Sequence, residues 1–270
     1  MEFSTAEQQD LRAIAEEMAD AARAVTLRYF RTDMAVDNKE TNGFDPVTAA
    51  DREAEQAMRA VLAKRRPDDA IYGEEFGKSA GSTGLTWVLD PIDGTRAFIS
   101  GAPSWGVLIG LDAGQGPVLG VVDQPYIGER FIGGFGKADM ARGEACREIK
   151  TRPCAGLSDA ILMTTFPEVG TKAEGAAFAA VSAQCKLTRF SLDCYAYAML
   201  AIGQIDLVIE AGLNAYDVQG PIGVVQGAGG LVTDWQGGPA HNGGQIIAAG
   251  DARAHAAALE ILNRGSQNTL

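Results

Sequence analysis

Histidine and cysteine are scarce in this chain, with two of one and four of the other in 270 residues. Cys146, Cys154, Cys185 and Cys194 form no CxxC pair, and neither His241 nor His255 stands at ligand spacing from them. A zinc centre is therefore not expected. Unpaired thiols at such spacing fit a reducing compartment, so the expected location is the cytoplasm. A basic excess is also missing, since 23 Lys and Arg against 35 Asp and Glu give 23 − 35 = −12. That balance argues against nucleic acid or an anionic membrane as the main partner, because both reward clustered cations. No run approaches the roughly 18 apolar residues of a membrane span. Glu2, Glu7 and Asp10 interrupt the start too early for a signal peptide. No Gly-x-Ser-x-Gly elbow or HExxH motif occurs. Gly73-x-x-x-Gly77-Lys78-Ser79 is one residue short of a Walker A loop and carries Glu74 and Glu75 where phosphates would sit.

What is present is a hydrophobic fraction of 46%, enough for one sizeable core. A helix is expected from Thr5 to Val25, opened by a Thr5/Gln8 capping box and lined by Leu11, Ile14, Ala15, Met18 and Ala22. A polar stretch covers Thr32 to Thr48. A second amphipathic helix runs from Asp51 to Lys64, closed by Pro67. The middle holds short strands at residues 87–89, 107–111, 118–122 and 130–133, spaced as antiparallel meanders. The C-terminal part alternates, with helices at 174–184, 193–203, 217–227 and 252–263 and strands at 205–210, 231–235 and 246–249. This alternation favours a layered α/β arrangement. The expected unit is a single catalytic body of residues 1–270 with a soft subdivision near 150, an antiparallel-sheet half before it and an α/β half after it. Gly227-Ala228-Gly229-Gly230 reads as tight helix-to-strand packing rather than a dinucleotide fingerprint.

Three acidic clusters stand where elements end: Gly73-Glu74-Glu75, Asp90-Pro91-Ile92-Asp93-Gly94-Thr95, and Asp217 at the start of a helical pattern. Any one of them alone is a turn or a cap. Together they form an oxygen-rich, His-free donor set that suits a hard cation such as Mg²⁺. Carboxylates converging in one cleft need cations or must take up protons. Pro91 restrains the turn so that Asp90, Asp93 and the Ile92 carbonyl can present oxygens to one point. Gly94 permits close approach of a ligand, and a helix starting near Thr95 offers N–H groups to a phosphate.

These motifs, with Asp45-Pro46-Val47-Thr48-Ala49-Ala50-Asp51 and Tyr216-Asp217 in family order, resemble the inositol monophosphatase superfamily over nearly the whole chain. The resemblance implies an α/β (α+β) fold, a layered α-β-α-β-α sandwich, usually assembled as a homodimer. It also implies a phosphatase needing two or three Mg²⁺ ions per site, replaceable by Mn²⁺ and inhibited by Li⁺. Carried over by motif, Glu74, Asp90, Asp93 and Asp217 with the Ile92 carbonyl become metal ligands. Asp51 and Thr95 become the pair that orients and helps deprotonate an attacking water, with Glu74 counted among the catalytic residues. Gly94 and Thr95 hold the phosphate, and Lys39 lies near the family's mobile-loop lysine.

Three stretches resemble the histidinol-phosphate phosphatase branch more than the inositol branch. They are Gly73-Glu74-Glu75-Phe76-Gly77, Arg96-Ala97-Phe98-Ile99-Ser100-Gly101, and Asp193-Cys194-Tyr195-Ala196-Tyr197 followed by Asp206-Leu207-Val208-Ile209-Glu210. Phe190-Ser191-Leu192 departs from that branch, which has glycine there. The implied substrate is L-histidinol phosphate, a small phosphate ester with an amine and an imidazole, and Asp193, Glu210 and Asn214 are the candidate residues that recognise it. Asp193 has a helix N-cap as its alternative role. The competing functions are an inositol-1-phosphate or broad sugar-alcohol monophosphatase, a nucleotide 3′-phosphatase, and a non-enzymatic modulator of RNA machinery. The complete set of acids and the acidic charge count against the last.

Overall fold

The structure is a computed structural model that describes residues 1–33, 36–38 and 46–267. The chain opens with α1 (Thr5–Tyr29), β1 (Val36–Asn38), β2 (Pro46–Thr48), α2 (Ala49–Arg65), β3 (Ala70–Gly73), β4 (Gly77–Ser79), β5 (Thr86–Asp93) and α3 (Thr95–Ile99). Five strands follow: β6 (Gly106–Asp112), β7 (Pro117–Gln124), β8 (Glu129–Gly134), β9 (Lys137–Arg142) and β10 (Ala145–Glu148). The remainder is β11 (Ile161–Thr164), α4 (Lys172–Ser182), β12 (Leu187–Phe190), α5 (Tyr195–Ala201), β13 (Leu207–Asn214), α6 (Ala215–Gly227), β14 (Leu231–Thr233), β15 (Gly243–Ala249) and α7 (Ala252–Gln267).

Two sheets and three helical layers alternate, giving the expected α-β-α-β-α sandwich. The first sheet has eight strands in the order β10-β9-β8-β7-β6-β5-β3-β4, and its β6-to-β10 run is the antiparallel meander anticipated from strand spacing. The second has five strands ordered β12-β11-β13-β15-β14, with β11 parallel to both neighbours. Leu11, Ile14 and Met18 of α1 and Ala54, Met58 and Leu62 of α2 pack on one face of the first sheet. Each large apolar side chain buried there contributes about 1.5–3 kcal/mol. α4 and α7 cover the outer face of the second sheet.

The central layer, α5 and α6, decides where the site lies. Val218, Ile222 and Val225 of α6 face the second sheet, while Val224 packs with Leu108, Val122 and Phe131 of the first. The helix sits backbone-to-backbone on the first sheet, because a Cβ at Gly120 would collide with the Gly220 carbonyl. Gly227 likewise rests against the Lys137 carbonyl, so the glycine-rich end of α6 serves packing as expected.

Several local expectations are corrected. The first capping box is Ser4/Glu7, not Thr5/Gln8: Ser4 accepts from the Glu7 amide and the Glu7 carboxylate accepts from the Ser4 amide. Two adjacent hydroxyl residues make the sequence ambiguous, and the acid at the third helical position decides it. Part of the polar stretch before α2 pairs as the β1–β2 ribbon. The helix expected from residue 193 begins at Tyr195, and the strand expected to stop at Glu210 continues through a bulge to Asn214. Lys39 and Asp45 lie outside the described residues.

The Phe190-Ser191-Leu192 departure has a structural counterpart, since Ser191 holds φ at 68° in the left-handed region. A non-glycine residue there costs about 1–2 kcal/mol. Ser191→Gly is expected to stabilise the protein by about 0.5–1 kcal/mol once the greater unfolded-state freedom of glycine is set against the relieved strain. Chemical denaturation checks this, and a loss of stability would contradict it.

Candidate active site

The cleft forms where β5 ends. β5 is an interior strand, buried from Trp87 to Ile92. Its register against β6 shifts, Asp90 pairing with Leu108 and Asp93 with Gly106, so Pro91 and Ile92 on one side oppose Val107 alone on the other. Such a bulge re-aims side chains that a regular strand would send to alternate faces. It brings Asp90 and Asp93 to the same cleft. The Asp90 Oδ1 accepts from the Ile92 amide at 3.0 Å. Gly94 follows at φ 83° and caps α3, and a Cβ on it would run into the Asp193 carboxyl.

Two helices supply acids from their first turns by the same device. In α2, the Asp51 Oδ2 accepts from the Thr48 amide (2.8 Å) and hydroxyl (2.6 Å), a capping box that buries the residue. The Asp51 Oδ1 is left facing Thr95, whose hydroxyl lies 3.4 Å from it and 3.1 Å from the Ile92 carbonyl. In α6, Asp217 is the third helical residue and its Oδ2 accepts from the Asn214 amide at 2.5 Å. Asp217 is thus a capping residue and a cleft residue at once. Glu74 continues the parallel pairing of β3, its amide donating to the Leu89 carbonyl at 3.1 Å.

Asp90, Asp93 and Asp217 each offer an oxygen within 4.8 Å of the others. Burial pushes the carboxyls of Asp90 and Asp93 well above the ordinary range. The neighbouring charges of Glu74, Asp93 and Asp217 add to this at Asp90, and those of Asp217 and Asp193 at Asp93. Glu74 stands against Asp90 as the largest of the charges acting on it. Asp90, Asp93 and Asp217 thus converge, and Glu74 lines the same cleft.

The far wall carries the substrate candidates. Glu210 is buried and its carboxylate accepts from the Thr165 amide (3.1 Å), the Thr165 hydroxyl (2.5 Å) and the Tyr197 hydroxyl (2.8 Å). Burial raises its carboxyl above the usual value while these donors oppose the shift. Asp193 sits at φ 46° and accepts from the Ser104 hydroxyl at 2.5 Å. It does not cap α5, where Cys194 holds that position; the Cys194 amide donates instead to the Asp93 Oδ2 at 2.7 Å. Asn214 caps α6 at the cleft edge. The whole cleft has a volume of about 320 Å³. Thr165, Tyr197 and Ser104 escaped the sequence reading. Only Tyr197 lay in a noticed stretch, and no local signal marks the other two.

A model of the inositol monophosphatase family matches residues 7–267. The chain belongs to that family. It is a phosphatase of the inositol monophosphatase type. The Arabidopsis thaliana protein named "Bifunctional phosphatase IMPL2, chloroplastic" is 40% identical over 97% of this chain and 77% of its own length. A Streptomyces coelicolor protein named "Histidinol-phosphatase" is 34% identical over 94% of this chain and 97% of its own. The solved structure of an inositol monophosphatase from Zymomonas mobilis superposes with a TM-score of 0.84, at 39% identity, over 97% of this chain and 100% of that one. Among the described residues no helix is long and apolar enough to cross a membrane.

Inositol monophosphatases are generally metal-dependent, and the donor set here fits that requirement. The cluster is all oxygen, and its mutual repulsion is what a hard cation relieves. If repulsion dominates the cation-free cleft, Asp90→Asn is expected to raise its melting temperature by about 2–4 °C, one like-charge pair being worth about 1 kcal/mol. The same variant is expected to lose the rise in melting temperature that Mg²⁺ gives the parent, and to lose turnover of phosphate esters. Normal turnover at saturating Mg²⁺ would remove Asp90 from the site.

Proposed function

We propose that the protein is a Mg²⁺-dependent phosphomonoesterase that hydrolyses L-histidinol phosphate to L-histidinol and phosphate, as in histidine biosynthesis. The observation that carries the substrate is the charge of the cleft. Seven carboxylates and a single basic side chain, Arg96, are found among its described lining residues. Asp90, Asp93, Asp217 and Glu74 are accounted for as ligands of the cation. Asp193, Glu210 and Glu168 are left over, and a neutral polyol has no charge to set against them. An alcohol bearing an ammonium and an imidazole does. The relative named for histidinol-phosphatase activity supports the same reading.

When bound at Asp90, Asp93, Asp217, Glu74 and the Ile92 carbonyl, Mg²⁺ supplies Lewis acidity toward the phosphate and the departing oxygen. The chain's own residues do the rest. Thr95 donates its proton toward Asp51, so its oxygen lone pairs accept from a water in the cleft and hold that water for in-line attack. Asp51 is the ultimate proton acceptor, and the capping bonds from Thr48 fix its orientation. The backbone amides of Gly94 and Thr95 bind the phosphate. Asp193, Glu210 and Asn214 hold the leaving alcohol. No covalent intermediate is required.

A second reading, an inositol-1-phosphate or broad sugar-alcohol monophosphatase, is favoured by the close likeness to the Zymomonas mobilis structure. The family resemblance also supports a homodimer. A Mg²⁺-dependent phosphate-release panel separates the readings. kcat/KM is expected to be highest for L-histidinol phosphate. Asp193→Asn, which keeps the Ser104 contact, is expected to lower that value by about ten- to a hundredfold, as loss of a charge-assisted contact of about 1.5–3 kcal/mol implies. Activity on inositol 1-phosphate should change far less. A preference for inositol 1-phosphate would overturn the substrate, and no turnover on any ester would favour the non-enzymatic role.

A further inference from the structure

Glu55 is a buried carboxylate that the proposed chemistry does not use. It is 0% exposed on α2, one turn beyond Asp51, and faces the reversal between β3 and β4 that carries Glu74. Its Oε2 accepts from the Glu75 amide at 2.7 Å and its Oε1 from the Phe76 amide at 3.3 Å. Residue 73 must be glycine for this to occur, since a Cβ there would occupy the position of the Glu55 carboxylate. Arg59, one turn further along α2, closes the arrangement. Its Nε donates to the Glu55 Oε1 at 2.7 Å, its Nη2 to the Gly77 carbonyl at 2.6 Å and its Nη1 to the Ser79 hydroxyl at 3.0 Å.

Residues four apart share a helix face, so Asp51, Glu55 and Arg59 form one stripe. Its first member meets Thr95, its second grips the amides just after Glu74, and its third holds the returning strand. Glu55 has its oxygens committed to two amides and a guanidinium, which sets it apart from the acids that face the cation.

We infer that Glu55 and Arg59 are positioning residues that lock the Glu74 turn in register with the Asp51–Thr95 pair and so set the affinity of the cleft for its divalent cation. The inference rests on the cation-binding part of the proposed function and not on the choice of alcohol. Neither residue touches substrate or ion; both act through Glu74. Groups that orient metal ligands in this way change metal affinity by about 10–100-fold when removed.

The test is Mn²⁺ binding to the full-length, cation-free protein, followed by the paramagnetic resonance signal of free Mn²⁺. The parent is expected to bind. Glu55→Gln keeps the volume but loses the pairing with Arg59, and is expected to raise the Mn²⁺ dissociation constant about tenfold. The Mg²⁺ concentration for half-maximal activity should rise in parallel, while kcat recovers at saturating Mg²⁺. Arg59→Gln lies nearer the surface and is expected to shift affinity in the same direction by a smaller factor. It decides the matter if Glu55→Gln does not fold. Folded variants with a lowered melting temperature but unchanged Mn²⁺ affinity would reduce the stripe to a structural role and overturn the inference. No Mn²⁺ binding by the parent would instead overturn the proposed metal site.

Discussion

The constraint on which this structure turns is the repulsion among carboxylates gathered in one buried cleft. Asp90, Asp93 and Asp217 bring oxygens within 4.8 Å of each other, with Glu74 against Asp90. A like-charge pair at about 4 Å costs about 1 kcal/mol in water and about 4 kcal/mol at an effective dielectric of 20. Nothing in apolar packing would choose such an arrangement, so each acid has to be held against its neighbours. The means is the same four times. Asp90 accepts the Ile92 amide, Asp93 the Cys194 amide, Asp217 the Asn214 amide and Asp51 the Thr48 amide. One oxygen of each acid is thereby anchored to the main chain, and the Asp51 Oδ1 meets the Thr95 hydroxyl.

Those anchors come from different layers, which ties the site to the architecture. Asp90 and Asp93 belong to a bulged strand of the first sheet. Asp217 rides on α6, whose depth is set by glycine-to-glycine backbone contact with β7. Cys194 belongs to the corner before α5 and reaches across to Asp93. Moving α6 away from the first sheet by the thickness of a methyl group would move Asp217 away from Asp90 and Asp93. The close packing of the central layer and the geometry of the cleft are therefore one requirement.

Much of this was legible in the sequence, and for a physical reason. The Asp90–Thr95 run, Glu74 and Asp217 all stand at element ends, where turn, cap and strand signals are local. The layered sandwich and the convergence of the acids were implied by family likeness rather than by periodicity, while the strand order and the central position of α6 emerge only from the structure. What stayed hidden depends on contacts across the chain. Ser104 meets Asp193 from 89 residues away, and Thr165 meets Glu210 from 45. Glu55 reads as an ordinary polar residue of an amphipathic helix until the β3–β4 turn is seen against it. The shift of the first capping box from Thr5 to Ser4 is a smaller case, in which two neighbouring hydroxyls compete and the Glu7 side chain decides.

The two walls of the cleft differ in a way that bears on what the protein recognises. On the β5 wall the acids repel one another, and a small hard cation is suited to relieve that repulsion. On the far wall Glu210 already accepts from the Thr165 amide and hydroxyl and from Tyr197, and Asp193 accepts from Ser104. Neutral donors orient these two carboxylates without neutralising them, and burial still raises both above their usual range. Asp193 also stands beside Gly94 and its charge acts on Asp93, so the two walls are electrostatically linked. Under the proposed function a positively charged alcohol end meets the far-wall acids as the cation meets those of the first wall. A neutral alcohol would offer those acids no opposite charge, leaving the donors from Ser104, Thr165 and Tyr197 to offset their burial.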